Sequence, residues 1–348
     1  MKKLLSVFLV LVLVFAMTGC QQSAPAPQQS SEKASAAQPS GDSKAAAPAS
    51  PSPEAKQYQI GFSIAVRDQF LTSLEMAATK KAEELGVKFE VYEAKEDIST
   101  QISHVQTCAV KGFDAMVVNM VNADNAAEVL AAAGDMKVVF VNRAPDLALL
   151  EKGKYVYVGS DENVSGRLQG EFLAKHFQAE GKTSINIVVF KGDLTHPATP
   201  ARTNSALNGL KEGGIEYNIL YEDTANFDRA TAMNKFVQFM GKGETVDAVI
   251  CNNDEMALGV IEAMKTSGTG EIFCPVVGID ATVVGCESVK AGEMAFTVFQ
   301  SAVGQGAGSV QAAVDILNGK DLQNANEDGT ISWVAFEPVG PDNVDDYM

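Results

Sequence analysis

From residue 57 onward, short runs of apolar and β-branched residues alternate with longer segments whose apolar residues recur every three or four positions. The short runs predict β-strands, and the longer segments predict amphipathic helices. Strands are predicted at 58–64, 88–92, 115–119, 137–142, 155–158, 184–190, 217–221, 248–251, 275–279 and 295–299. Helices are predicted at 71–85, 98–110, 166–180, 201–211, 230–239, 254–266 and 302–317. Apolar strands that alternate with helices indicate parallel sheets covered on both faces. We therefore predict an α/β fold with two doubly wound, Rossmann-like lobes.

The first twenty residues have the pattern of an export signal. Two lysines follow Met1, and a continuous apolar run extends over 4–17. A run of about 14 residues is shorter than the roughly 20 that span a membrane, but it fits the core of a signal peptide. The run ends at Thr18-Gly19-Cys20, which resembles a bacterial lipobox, where the cysteine receives a lipid after cleavage. We predict a lipidated Cys20 that anchors the chain to the membrane. A signal peptide cleaved elsewhere and an ordinary buried segment are the alternatives.

Residues 21–56 consist mainly of Ser, Ala, Pro, Gln and Gly. Such a segment has too few apolar residues to offset the entropy lost on ordering. We predict a disordered linker that holds the folded body near the membrane.

Composition narrows the classes of function. The formal charge of −17 repels phosphates, so we predict no nucleic-acid partner. Apart from Cys20, the cysteines show no CxxC spacing; buried thiols are the simpler interpretation, and a disulfide stays open. The three histidines have no metal-ligand spacing, and the chain contains no nucleophile elbow, P-loop or zinc motif. We predict no metal, no cofactor and no enzymatic activity.

Polar and aromatic residues follow seven of the predicted strands. In open parallel sheets, ligands bind beyond the carboxyl ends of the strands. Carboxylates, amides and guanidinium groups match the paired hydroxyls of a sugar, and aromatic rings cover its apolar faces. Each residue alone is also explained as a helix cap or a core side chain. The strand-end residues are 67–70, Asn142, Arg143, Lys191, His196, Arg202, Asn226, Phe227, 252–254, Asp280 and Gln300.

Several ordered motifs carry a family resemblance. They are KGDLTHPATPARTNSAL (191–207), DTANFDRATA (223–232), CNNDEMALG (251–259), VVGIDAT (276–282) and TVFQSAVGQ (297–305). Over residues 57–345 the chain resembles the type I periplasmic sugar-binding proteins, especially the galactose/glucose-binding and ribose-binding members. The resemblance implies two lobes with three crossings of the chain between them, near Asp161, Gln300 and residue 330. It divides the chain into a first lobe of 57–161 plus 301–330 and a second lobe of 162–300 plus 331–348.

The resemblance also implies which residues bind the sugar. Phe70 and Phe227 are expected to cover opposite faces of the ring, while polar side chains bind its hydroxyls. Ala198 stands where galactose/glucose members have a sugar-binding Asp, so the identity of the sugar stays open. The calcium loop of some members is also missing, and we predict no bound calcium. The implied binding set is Asp68, Phe70, Asn142, Arg143, His196, Arg202, Phe227, Asn253, Asp280 and Gln300.

Together these features predict a monomeric lipoprotein outside the cytoplasm. It is expected to capture a galactose/glucose- or ribose-like monosaccharide and to deliver it to the permease of an ABC importer. A receptor subunit for chemotaxis or for a sensor kinase is the alternative. A transcription regulator of the same fold needs a DNA-binding head, where this chain has an apolar leader and a linker. A glycosidase that uses Asp68 and Asp280 as its two carboxylates also needs room for a leaving group and a water molecule. A pocket of monosaccharide size with two aromatic rings leaves little such room, which disfavours an enzyme.

Overall fold

The structure, a computed structural model, describes residues 57–268 and 270–348. The signal peptide, the lipidated Cys20 and the linker predicted for residues 1–56 all lie outside the described residues. In the described part of the chain, no helix has both the length and the hydropathy of a membrane span. The strands there are β1 (Gln59–Ile64), β2 (Lys88–Glu93), β3 (Ala115–Val118), β4 (Lys137–Val141), β5 (Tyr155–Gly159), β6 (Ser184–Lys191), β7 (Glu216–Thr224), β8 (Ala248–Cys251), β9 (Val276–Val277), β10 (Thr297–Gln300), β11 (Ile331–Trp333) and β12 (Phe336–Val339). The helices are α1 (Gln69–Glu84), α2 (Ile98–Val110), α3 (Ala126–Ala133), α4 (Glu162–Ala179), α5 (Ala198–Glu212), α6 (Arg229–Met240), α7 (Asp254–Thr266), α8 (Val283–Lys290) and α9 (Ala302–Leu317).

Two parallel sheets organise these elements. The first has the order β11-β5-β4-β3-β1-β2, with α1 and α9 on one face and α2 and α3 on the other. The second has the order β7-β6-β8-β9, with α6, α7 and α8 on one face and α4 and α5 on the other. An antiparallel pair, β10 with β12, joins the second sheet through bridges at Val277 and Asp280. We call the first sheet with its helices the first lobe, and the second sheet with its helices and this pair the second lobe.

Strand β4 shows why the strands are apolar along their whole length. Val139 and Val141 pack into the cluster with α1 and α9, whereas Val138 and Phe140 pack into the cluster with α2 and α3. Alternate side chains of a strand point to opposite faces, so a sheet covered on both faces buries every position. The four side chains are fully buried.

The chain passes between the lobes three times. It leaves the first lobe after β5, returns after β10, and leaves again between β11 and β12. The strand Ile331–Trp333 pairs with Tyr155–Gly159 in the first sheet. The boundary that the sequence analysis set at residue 330 is therefore too early, because this short strand completes the edge of the first sheet before the chain crosses.

Candidate ligand-binding site

All ten side chains of the predicted binding set line a single cavity between the lobes. Its empty volume is about 560 Å³, a figure that includes the open mouth. Asp68, Phe70, Asn142 and Arg143 come from the first lobe, and the other six come from the second. The lining also includes four residues outside the predicted binding set: Gln69, which is one of the predicted strand-end residues, and Leu71, Glu255 and Thr282.

The carboxyl ends of the strands place these residues. Asn142 directly follows β4, and Gln300 is the last residue of β10. Three lining residues have positive φ angles: Asn142 at 67°, Phe227 at 59° and Asp280 at 125°. Positive φ is uncommon outside glycine and is a strained conformation for a bulky residue such as Phe227. Such strain concentrates at functional sites, where the surrounding structure holds the side chain in place.

Asp68 and Arg143 form the polar part of the first-lobe wall. Asp68 caps α1, and its Oδ1 accepts a hydrogen bond of 2.7 Å from the Leu71 amide. Desolvation in the cleft raises the pKa of this carboxyl, although the residue keeps contact with solvent. Arg143 is buried and donates from Nη1 to the carbonyls of Met120 and Val121. Its Nε is also buried and has no hydrogen-bond partner among the described residues.

Arg202 occupies the centre of the second-lobe wall. Its guanidinium donates to Glu162 Oε2 at 2.6 Å, to the Asn252 carbonyl at 2.8 Å and to Gln300 Oε1 at 3.1 Å. Asp280 Oδ1 lies 3.8 Å from Nη1. Burial raises the pKa of Asp280 well above its usual range, even though Arg202 acts in the opposite direction. The position of Arg202 depends on close packing of α4 against α5, since a Cβ at Gly166 would overlap the Arg202 carbonyl.

His196 and Phe227 form an aromatic corner of the cavity. The His196 Nδ1 accepts a 3.1 Å hydrogen bond from the Ala198 amide, which leaves Nε2 as the protonated nitrogen. Burial, with help from Arg143 and Arg202, lowers the pKa of His196 well below its usual value, so the ring is neutral. The ring centroids of His196 and Phe227 lie 5.5 Å apart with an interplanar angle of 68°. A side chain at Gly192 would overlap the Phe227 ring, so a glycine here is required.

Asn253 is held by hydrogen bonds to backbone groups, and Asn142 is linked through Gln305 to the first crossing. Asn253 caps α7 by accepting from the Met256 amide, and its Nδ2 lies 3.4 Å from the Phe227 carbonyl. Asn142 donates to Gln305 Oε1 at 3.1 Å, and Gln305 donates to Ser160 Oγ at 3.1 Å. These bonds connect a lining residue to the first crossing and to α9.

The predicted binding set leaves out the residues that hold the lining in place. Glu162, Asn252 and Gln305 contact binding-set residues without lining the ligand cavity themselves, and Ser160 in turn contacts Gln305. Glu162 lies in the first turn of α4, directly after the first crossing, and this hinge position was a usable signal. Ala198 also lies outside the cavity lining, fully buried beside His196.

The site offers hydrogen-bond donors, hydrogen-bond acceptors and two phenyl rings. The described residues contain no group of three His, Cys, Asp or Glu arranged for a metal ion. Carboxylates accept hydrogen bonds, guanidinium groups donate them, and amides do both. Such a set suits the hydroxyls of a compact polyol, each of which donates and accepts. The arrangement can bind a compact polyol by hydrogen bonds together with apolar contact.

Comparisons with known proteins agree with this geometry. A family model described as "Periplasmic binding protein domain" matches residues 60–321. A protein of Rhizobium meliloti, named for rhizopine binding, is 34% identical over 296 residues, covering 83% of this chain and 92% of that protein. The D-galactose/methyl-galactoside binding periplasmic protein of Haemophilus influenzae is 28% identical over 298 residues, covering 81% of this chain and 88% of that protein.

A solved structure is similar over most of its length. The ABC transporter solute binding protein of Bacillus halodurans C-125, with bound myo-inositol, superposes with a TM-score of 0.76 at 32% identity. The match covers 85% of this chain and 99% of that one. The predicted resemblance and the predicted fold of two doubly wound lobes are thereby confirmed. The chain belongs to the periplasmic binding protein family.

Proposed function

We propose that this chain is the solute-binding protein of an ABC importer and that it captures a ring-shaped polyol between its lobes. The observation that carries the proposal is the convergence of ten predicted side chains, from both lobes, on one cavity. A ligand that contacts both lobes stabilises the closed arrangement only through contacts that an open arrangement lacks. Closure then creates a surface that the open, empty protein lacks, and a permease distinguishes the loaded protein by this surface.

The chemistry of the lining supports a neutral polyol as the ligand. The charged lining residues are the basic Arg143 and Arg202 and the acidic Asp68, Glu255 and Asp280, so neither sign of charge is left in large excess. Phe70 and Phe227 supply apolar surface from different lobes. We propose that the two rings cover the faces of the ligand while the charged and amide groups bind its hydroxyls.

The relatives define the first ligands to test. The Bacillus halodurans protein holds myo-inositol, and the Haemophilus influenzae protein is named for D-galactose and methyl-galactoside. We place myo-inositol, D-galactose, D-glucose and D-ribose at the head of the panel. Arabinitol, an open chain with similar hydroxyls, is the matched control for the requirement of a ring.

The decisive experiment is a thermal-shift screen of the purified protein against this panel, followed by calorimetry. A ligand present at 100 times its Kd stabilises the native state by about 2.7 kcal/mol, which a melting curve resolves. We expect at least one ring polyol to raise Tm and to bind with a stoichiometry of one. The Arg202→Lys variant should lose the shift. A panel without any shift would reject the proposal.

We also propose that the chain is held outside the cytoplasm by a lipid on Cys20 and that it binds its ligand without turnover. The apolar run at 4–17 and the Thr18-Gly19-Cys20 sequence support the anchor. Metabolic labelling with a palmitate analogue, compared between the natural chain and Cys20→Ser, tests it. Incubation with chromogenic glycosides tests turnover, and released chromophore would contradict the binding-only role. Delivery to a chemotaxis or sensor-kinase partner is the alternative use of the same closed form.

A further inference from the structure

A buried polar cluster lies behind the part of the cavity wall that contains Asp280. Its centre is Asp254, the first residue of α7, which is fully buried and does not line the cavity. Asp254 Oδ1 accepts a hydrogen bond of 2.6 Å from the Thr297 hydroxyl. Its Oδ2 accepts from the Thr282 amide at 2.8 Å and from the Thr282 hydroxyl at 3.2 Å. The carboxylate therefore joins the start of α7 to β10 and to the turn at 280–282.

Two glycines leave the space that this carboxylate occupies. A Cβ at Gly278 would overlap Asp254 Oδ1, and a Cβ at Gly285 would overlap Oδ2. Neither glycine has a positive φ angle, so the backbone conformation alone would accept other residues at both positions. The close approach of the Asp254 carboxylate is what requires glycine at these two positions.

The turn that Asp254 contacts has a strained backbone. Asp280 has a φ of 125° and Ala281 a φ of 49°, both in the region that favours glycine. Two such residues in succession persist only where the surrounding structure fixes them. The Ala281 amide donates to the Thr297 hydroxyl at 3.3 Å, and the amide of Thr282 donates to Asp254. Asp254 and Thr297 thus hold the two residues that follow Asp280.

The Asp280 carboxylate has little support from its own contacts. The residue is buried and lines the ligand cavity. Arg202 Nη1 lies 3.8 Å from Asp280 Oδ1, beyond hydrogen-bond distance, and donates instead to the Asn252 carbonyl. No hydrogen bond from the described residues reaches this carboxylate, so its direction is set by the backbone that carries it. A buried acceptor without a partner, at the surface of a cavity, is suited to a hydroxyl of a ligand.

We propose that Asp254 is a positioning residue for ligand binding: through Thr282 and Thr297 it holds the turn that directs the Asp280 carboxylate at a hydroxyl of the ligand. This inference rests on the proposed function, because the ligand supplies the hydrogen bond that Asp280 accepts. Asp254 does not touch the ligand. A change at Asp254 or Thr297 should therefore weaken binding through the contact of Asp280 and through no other contact.

Calorimetry on two variants, alone and combined with Asp280→Asn, tests the proposal. Asp254→Asn removes a charge as well as an acceptor. The charge matters because Asp254 adds to the effect of burial, the main cause of the raised pKa of Asp280. Thr297→Val removes a hydroxyl and leaves the formal charge unchanged. We expect each variant to raise Kd at least tenfold in the natural chain and less than twofold where Asp280→Asn is already present.

Monodeoxy probes show which contact is lost. The probes are myo-inositol and D-galactose with their monodeoxy forms. The form that lacks the hydroxyl bound by Asp280 should bind equally to the natural chain and to Asp280→Asn. The same form should bind equally to Asp254→Asn and Thr297→Val, because the contact that these variants disturb is already absent.

Two controls separate positioning from general damage to the fold. Asp247→Asn changes a carboxylate at the opposite end of β8, where Asp247 accepts from the Asn186 amide and from Lys182. This variant should lower the free energy of unfolding and leave Kd unchanged. Thr297→Ser keeps the hydroxyl and should bind as the natural chain does. If Asp254→Asn does not fold, Thr297→Val and Thr297→Ser carry the same comparison.

The outcomes separate this inference from the proposed function. Natural affinity in Thr297→Val, or an equal loss with and without Asp280→Asn, would overturn the inference while a bound probe leaves the proposed function intact. Weakening by Asp254→Asn alone would assign the effect to charge and would also contradict positioning. Failure of every probe to bind the natural chain would reject the proposed function, and the inference with it.

Discussion

The Nε of Arg202 donates to Glu162 Oε2 at 2.6 Å, and this bond joins a lining residue of the ligand cavity to the first crossing of the chain. Both side chains are almost entirely buried, with 5% and 12% of their surfaces exposed. Gln300, at the second crossing, accepts from the same guanidinium. Arg202 is thus held by residues of two crossings, and its orientation toward a ligand depends on where those crossings lie.

Glu162→Gln should weaken ligand binding although Glu162 does not line the cavity. The amide keeps the shape of the carboxylate but removes the charge that holds Arg202, and a buried charge without its partner is costly. We expect at least a tenfold rise in Kd by calorimetry, with a lower free energy of unfolding. Glu171→Gln is the control, because Glu171 makes only an exposed ion pair with Arg167. Unchanged affinity would mean that Glu162 does not position Arg202.

Phe227→Ala should weaken binding at least tenfold without unfolding the protein. The variant removes an aromatic surface from the cavity, and because Phe227 is only partly buried the loss of stability is limited. Calorimetry with the best ligand and a urea titration measure the two effects. Phe273→Ala, a change at a ring that is 49% exposed and outside the cavity, should leave Kd unaltered. Wild-type affinity in Phe227→Ala would remove this ring from the site.

Gln305→Leu should lower stability and affinity together. The change leaves the Asn142 amide without its acceptor and Ser160 without its donor, inside a buried region. An unsatisfied buried polar group costs about 1–3 kcal/mol, and we expect a loss of unfolding free energy of that size in urea. Gln311→Leu lies on the same helix, where Gln311 bonds only to Asp315, and should cost less than 1 kcal/mol. If the two variants lost equal amounts of unfolding free energy, the bond between Gln305 and Asn142 would contribute no more to stability than the bond between Gln311 and Asp315.

Asp254 should make the stability of the protein depend on pH. Burial raises its pKa from 3.8 to about 7, against the hydrogen bonds from Thr297 and Thr282. A raised pKa means that the folded state binds the proton more tightly than the unfolded state does. The protonated Asp254 therefore contributes fully to the free energy of unfolding below about pH 4, and this contribution is lost as the pH rises through about 7. Unfolding in urea across this range should show Asp254→Asn gaining stability relative to the natural protein as pH rises.

Asp97 is the control for this prediction, because its pKa is shifted in the opposite direction to that of Asp254. Hydrogen bonds from Thr100 lower the pKa of Asp97, an exposed helix cap, so its contribution is present above the unfolded pKa and is lost as pH falls through the folded one. Asp97→Asn should therefore show no trend between about pH 5 and 7. A constant difference between Asp254→Asn and the natural protein over the same range would contradict a raised pKa at Asp254.

Periodicity was sufficient for the main elements, because their signal is local. Helices Ile98–Val110, Asp254–Thr266 and Ala302–Leu317 have the predicted bounds, and ten predicted strands have counterparts in the structure. Helices α3 and α8 were not predicted. Ala126–Ala133 and Val283–Lys290 are only eight residues each, too short for a clear 3.6-residue period. Strand Ile331–Trp333 was missed because three residues become a strand only through pairing with β5.

The lining of the cavity was predictable to the extent that it lies at strand ends. Asp68, Asn142 and Asp280 follow strands with strong apolar runs, so the rule for open sheets finds them. Glu255 lies in the first turn of α7, and Thr282 is the residue before α8. Both line the cavity because of the way the chain folds in three dimensions, which the local sequence pattern does not indicate. The supporting role of Gln305 could not be predicted, because its bonds to Asn142 and Ser160 depend on which crossings meet, and this is a property of the fold alone.

The late strand Ile331–Trp333 and helix Ala302–Leu317 have a consequence for how the chain is made. The first sheet lacks its edge, and α1 lacks its neighbour, until residues near the carboxyl end have been synthesised. A ribosome-bound chain that stops short of them carries an uncovered apolar face at Leu74 and Ala78. The first lobe can therefore not be obtained as a finished fragment by a single cut, because its sheet and its helices use two segments of the chain that the second lobe separates.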